Sequence, residues 1–195
     1  MTALQLLLLF GLAQPFWDAR APAEWTNEEA RNLLIESPWA QAAGPAPARA
    51  VLLATARPVE EAERELTRRG INNPFSGARP NQVPDIDYLD YLKEHRGDHF
   101  VLAIAYADLS GFSQAAEERR LEEECVMRVG RRRIRMAGHF PPTPSDRVLR
   151  LVFPRAVTPS DKSFSFDLYL PGVPHPARMV EFRVKDLLYH GKMEM

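Results

Sequence analysis

The feature that most constrains this chain is a change of hydrophobic period near Glu124. Beyond that point apolar side chains alternate strictly with polar ones, as at Phe164, Phe166, Leu168 and Leu170 and again at Val180, Phe182 and Val184. Successive side chains of a strand point to opposite faces, so this period specifies strands with one buried face. Val126 to Val129 and Arg133 to Ala137 flank a turn at Gly130, and Arg147 to Phe153 supplies a further strand. The C-terminal half therefore predicts an antiparallel sheet, with Met193 to Met195 as a last short pairing segment.

Before Glu124 the apolar residues come in runs instead. Ala50 to Ala56 and Phe100 to Ala107 are continuously apolar and of strand length, which predicts two buried strands. Between them a helix opens at Pro58, carries Glu60 and Glu61 near its positive end and Arg68 and Arg69 near its negative end, and stops at Gly70. Val59, Ala62 and Leu66 form its core face. A second helix, from about Ile86 to His95, places Ile86, Leu89 and either Tyr88 or Leu92 on one side. Two buried strands bridged by helices predict a right-handed parallel crossover. The fold class is thus α+β: a helix-bridged buried strand pair, then a mainly antiparallel sheet, in one domain.

Trp17, Trp25 and Trp39, the chain's three tryptophans, all lie in its first fifth. Thr26 and Glu29 have capping-box spacing, and Ala30, Leu33 and Leu34 share the face of the helix that follows. Pro38 ends it, and Gln41 to Ala48 reads as a stiff connector. Residues 14–48 are accordingly an N-terminal helical arm and connector, and residues 49–195 the α+β domain. Residues 1–13 read as a signal peptide: Leu6 to Phe10 is apolar, no charged side chain occurs before Gln14, and cleavage is expected after Ala13. No Lys or Arg precedes the run, its one departure from the usual leader. The run is too short for a membrane span, so no transmembrane segment is expected in the mature chain. The expected location is periplasmic or secreted.

Composition narrows the partners. With 25 basic and 26 acidic side chains the net charge is −1, which supplies no field for a polyanion, so nucleic acid is not expected as a partner. Cys125 is the single cysteine and follows three glutamates, a setting that predicts a buried, inert thiol and excludes a multi-cysteine metal site. Neither a metal nor a cofactor is expected. His95 and His99 have ligand spacing, but Gly97 between them predicts two different elements. Asp85, Asp87 and Asp90 have a spacing seen among divalent-ion ligands, but here they open a helix, where Asp85 and Asp87 are expected to accept backbone N–H bonds and meet the positive end of the dipole. Ser110-Gly111 lacks the nucleophile-elbow pattern.

Two stretches carry a resemblance. Trp25-Thr26, Ala30, Leu33 and Ser37-Pro38-Trp39-Ala40 at the front, and Phe153-Pro154-Arg155, Asp161-Lys162, Lys185-Asp186-Leu187, Tyr189, Gly191-Lys192 and Glu194 at the back, resemble an uncharacterised family of exported bacterial proteins. The resemblance implies export and no assigned activity.

Three functional readings follow. The first is a non-enzymatic binding or accessory module whose partner is a protein or cell-envelope component, contacted through Trp25, Trp39 or Phe75, the last in the long loop Gly70 to Pro84. The second is a small extracytoplasmic hydrolase with His99 or His139 as base beside Asp108 or Asp146. The third is an anion-binding module using Arg131, Arg133 and Arg135, of which Arg133 and Arg135 share a strand face opposite Ile134 and Met136. The glutamates of 117–124 are expected to neutralise that hairpin in part.

Overall fold

The computed structural model describes residues 14–42, 48–80, 82, 85–107, 109–112, 115–173 and 175–195. The expected leader, residues 1–13, lies outside them, as does most of the expected connector.

Among the described residues the helices are α1 (Phe16–Ala19), α2 (Asn27–Ile35), α3 (Arg57–Arg68), α4 (Ile86–His95) and α5 (Ala115–Glu124). The strands are β1 (Ala40–Ala42), β2 (Ala48–Leu53), β3 (His99–Tyr106), β4 (Val126–Val129), β5 (Arg132–Arg135), β6 (Gly138–Phe140), β7 (Val148–Pro154), β8 (Ser163–Tyr169), β9 (Ala177–Arg183), β10 (Leu188–Tyr189) and β11 (Lys192–Met193). They form a five-stranded sheet in the order β1-β2-β3-β7-β6, a four-stranded sheet in the order β5-β4-β8-β9, and the short pair β10-β11. Every pairing is antiparallel. The α+β class holds.

The parallel crossover does not. β2 and β3 pair antiparallel, with Leu53 opposite Leu102. A single crossover helix returns the chain to the end of the sheet where the first strand began. Here α3 and α4 lie between the strands, two traverses that bring the chain back to the end it left. β7 differs as well, since its position among the strands beyond Glu124 predicts a place in the C-terminal sheet. It pairs with β3 along its whole length, from His99 opposite Pro154 to Ala105 opposite Val148. Its burial on both faces, unlike the alternating β8, explains the assignment.

The two large sheets face each other across a phenylalanine cluster. Phe100 and Phe153 of the first stack at 6.1 Å, Phe153 meets Phe166 of the second at 5.0 Å, and Phe164 stacks on Phe182 at 5.5 Å. All five rings are buried. Removing a buried phenylalanine side chain typically costs about 3–5 kcal/mol, so this cluster is a main source of stability. On the opposite face of the first sheet, α4 packs Tyr88 against Val101 and Val152. Tyr88 and Leu92 face inward, whereas Ile86, expected on that face, is exposed because it lies at the helix's first position.

The N-terminal arm belongs to the same core. Thr26 and Glu29 form the expected capping box, Leu33 and Leu34 are fully buried, and β1 pairs back onto β2. The expected connector therefore joins two paired strands. Arg69, just past α3, fastens the arm by donating to the backbone carbonyls of Trp25 (2.7 Å) and Ala23 (3.2 Å) while Glu65 holds it at 2.9 Å. No helix among the described residues is long and apolar enough to cross a membrane.

Candidate functional site

The long loop closes over a cavity of about 300 Å³ on the outer face of the first sheet. Its floor is set by register. Ala103 lies opposite Leu52 on one side and Arg150 on the other, and the small side chain at the centre leaves a depression between its larger neighbours. Glu63 and Thr67, one helical turn apart on α3, form one wall, and Tyr88 of α4 another. Asn73, Phe75, Ser76 and Gln82 of the loop complete it.

Asn73 organises that loop. Its side-chain oxygen accepts from the backbone N–H groups of Phe75 (2.8 Å) and Ser76 (3.2 Å), and its Nδ2 donates to Glu63 Oε1 at 2.7 Å. Gly77, in the left-handed region at φ 72°, lets the chain turn back so that its N–H reaches the Asn73 carbonyl at 2.8 Å.

Two carboxyl groups in this region differ in their compensation. Asp146 and Arg150 are both buried and paired at 2.7 Å. Asp146 also accepts from the Asp85 backbone at 3.3 Å, and the Arg150 guanidinium lies 4.4 Å above the Tyr88 ring. Glu63, in contrast, has Asn73 as its only hydrogen-bond partner among the described residues. Glu63 is half-buried and lines the cavity. That burial pushes its pKa above the usual glutamate value, against the smaller opposing effects of Asn73 and Arg150. Burial likewise pushes the Tyr88 phenol up. An apolar floor, an aromatic wall and one under-compensated carboxyl can hold a small molecule by an apolar body and an N–H group.

The sequence candidates fall in different places. Phe75 lines the cavity and is itself buried, at once pinning the loop and contributing to its lining. Asp146 also lines it, but its partner is Arg150 rather than a histidine. Asp108 lies outside the described residues. His139 lies 3.4 Å from Glu118 and 3.8 Å from Glu122 of α5 and is not among the residues lining this cavity. His99, as expected, opens β3 while His95 closes α4, but the two rings meet at 5.9 Å. The His99 Nδ1 is buried without a hydrogen-bond partner.

Trp25 and Trp39 were expected to offer a contact surface. Instead they are 2% and 0% exposed. The Trp25 indole N–H donates to the Arg20 carbonyl at 3.2 Å and that of Trp39 to the Glu194 carbonyl at 2.9 Å. The arm's hydrophobic payload is core, so these rings present no face to a partner.

Arg131, Arg133 and Arg135 are exposed, with Ile134 and Met136 packed inward on the other side, as the alternation requires. Their expected neutralisation by α5 does not occur. Glu124 pairs with Arg120 of its own helix, Glu118 and Glu122 face His139, and Glu117 accepts from the Tyr169 hydroxyl at 2.6 Å. In the hairpin, Arg128 is paired with Asp167 and Arg132 with Asp161, while Arg131, Arg133 and Arg135 form no ion pair among the described residues.

The residues that sequence reasoning passed over are Glu63 and Arg150. Each carried a signal: Arg150 interrupts an otherwise apolar strand, and Glu63 is four residues from Val59 on the inward side of α3. Among the described residues no group of three or more His, Cys, Asp or Glu side chains is placed to hold a metal ion. No protein-family model matches the chain, and no curated protein or solved structure matches it either.

Proposed function

We propose that this protein is a non-enzymatic, extracytoplasmic binding module that takes a small molecule bearing an N–H group in the cavity beneath the loop 70–84. The observation that carries the reading is Glu63, a half-buried carboxyl that lines the cavity and has a single hydrogen-bonding neighbour among the described residues. A ligand ammonium or amide supplies the missing donor, and its apolar part lies on Leu52, Ala54, Ala103 and Val148. The cavity is at the small end of ligand sites, which favours a compact molecule over a peptide.

The extracytoplasmic setting rests on the apolar run Leu6 to Phe10 and the small residues that follow it. N-terminal sequencing of the protein recovered from its native host checks that part, with Gln14 as the expected first residue. The cavity is tested by a thermal-shift screen of small amines and amides on the wild type and on Ala103→Leu, which fills the floor. Hits that stabilise the wild type and not the filled variant support the site; hits common to both remove it.

A further inference from the structure

A second cavity, of about 340 Å³, opens at the N-terminal end of α3. Its cations are Arg57, Arg64, Arg96 and Arg155, and its carboxylates are Glu60, Glu61 and Glu194. Most of these charges are already spent on one another. Arg57 pairs with Glu61 at 2.9 Å, and Arg96 engages Glu60 through both terminal nitrogens. Glu194 places Oε2 3.4 Å from the Arg57 backbone N–H, at the positive end of the helix.

Two guanidiniums are left over. Arg155 donates Nε to the Arg96 carbonyl at 3.0 Å and has no carboxylate within ion-pair distance among the described residues. The Arg64 side chain has neither a hydrogen bond nor an ion pair among the described residues. Four cations against three anions leave the lining one positive charge in excess. Arg155 is moreover half-buried, and the loss of water around it lowers its pKa, the mark of a cation not fully compensated by its surroundings.

We propose that this cavity binds the phosphate group of a ligand, with Arg64 and Arg155 as its anchors and Glu194 as an intramolecular competitor for the same positive region. A phosphate offers several strong acceptor oxygens in the geometry that guanidinium groups match with paired N–H donors. Glu194 already brings one carboxylate to that end of the helix, so removing its charge strengthens phosphate binding. The site lies on different residues from the loop-covered cavity and does not depend on what that cavity holds.

The experiment is calorimetric titration of the full chain with inorganic phosphate and pyrophosphate at low salt. The wild type binds saturably. Arg64→Gln and Arg155→Gln each weaken binding about tenfold, the loss of one charge-assisted contact. Glu194→Gln tightens it, and the pair Arg133→Gln with Arg135→Gln leaves it unchanged. Arg64 is exposed, so its variant keeps the test valid if Arg155→Gln fails to fold. Saturable binding that Arg64→Gln and Arg155→Gln leave unchanged, binding lost only with the hairpin variants, or no saturable binding together with no pelleting, overturns the proposal. Pelleting with vesicles of phosphatidylglycerol against phosphatidylcholine distinguishes the source of the group. Pelleting abolished by Arg64→Gln assigns it to a lipid headgroup, and phosphate binding without pelleting to a soluble ligand. Pelleting unaffected by Arg64→Gln, with no phosphate binding, overturns it.

Discussion

Asn73 reaches from the long loop to Glu63 on α3, its Nδ2 donating at 2.7 Å while its Oδ1 holds the Phe75 and Ser76 backbone. One side chain therefore both shapes the loop and ties it to the wall of the cavity. Asn73→Ala removes three hydrogen bonds at once and is expected to cost about 1–3 kcal/mol, since some of the freed groups regain water. Urea denaturation measures the loss, and limited proteolysis should then cut first between residues 71 and 80. Unchanged stability together with an uncut loop would show that Asn73 does not hold it.

Glu63 makes stability depend on pH in a defined direction. Burial, the largest cause, lets the folded chain hold this proton more tightly than the unfolded chain does. The resulting stabilisation is complete below the ordinary glutamate value of 4.5 and is lost as pH rises through the higher folded value. Glu63→Gln keeps the acceptor for Asn73 without the ionisation. The wild type should therefore lose ground to Glu63→Gln between acid and neutral pH, read as the difference in urea midpoint. A difference that is flat with pH would contradict the assignment.

Trp39 tests the place of the arm. Its ring is wholly buried, 5.6 Å from that of Trp17, and its indole N–H is satisfied by the Glu194 carbonyl. Trp39→Ala is expected to destabilise the whole domain by about 3–5 kcal/mol in a single cooperative transition. Melting of the arm alone, with the two sheets intact, would mean that it folds as a separate unit.

Cys125 is buried, its thiol within 3.3 Å of the Tyr169 backbone N–H, and its pKa is pushed up to about 12, chiefly by burial. Native protein at neutral pH should resist alkylation by iodoacetamide and react promptly in denaturant. Rapid native labelling would place the thiol at the surface.

These expectations also mark how far the sequence could be read. Period alone located β8 and β9, and the capping pair Thr26 and Glu29 located α2, because those signals are local. Strand partners are not local. β7 joined β3 rather than β8 because both of its faces are covered, a property that the run Val148 to Phe153 shows only once its neighbours are known. The tryptophans misled for a related reason, since clustering along the chain says nothing about which side of the protein covers them. The cavity was half legible. The loop stood out by its length and Phe75 by its position, but Glu63 and Arg150 come from elements that look structural, and only the packing of α3 on the sheet puts both in the lining of one cavity.

The binding claim stands or falls on Glu63, and the most direct measurement is a ¹H–¹⁵N NMR titration with phenethylamine, whose ring and ammonium match the two halves of the cavity. The expected result is saturable shifts at the amides of Leu52, Thr67, Phe75, Ser76 and Ala103, lost in Glu63→Gln and weakened as pH falls and the carboxyl takes up its proton. Saturable shifts that persist undiminished in Glu63→Gln, or no saturable shifts at these residues, would contradict it.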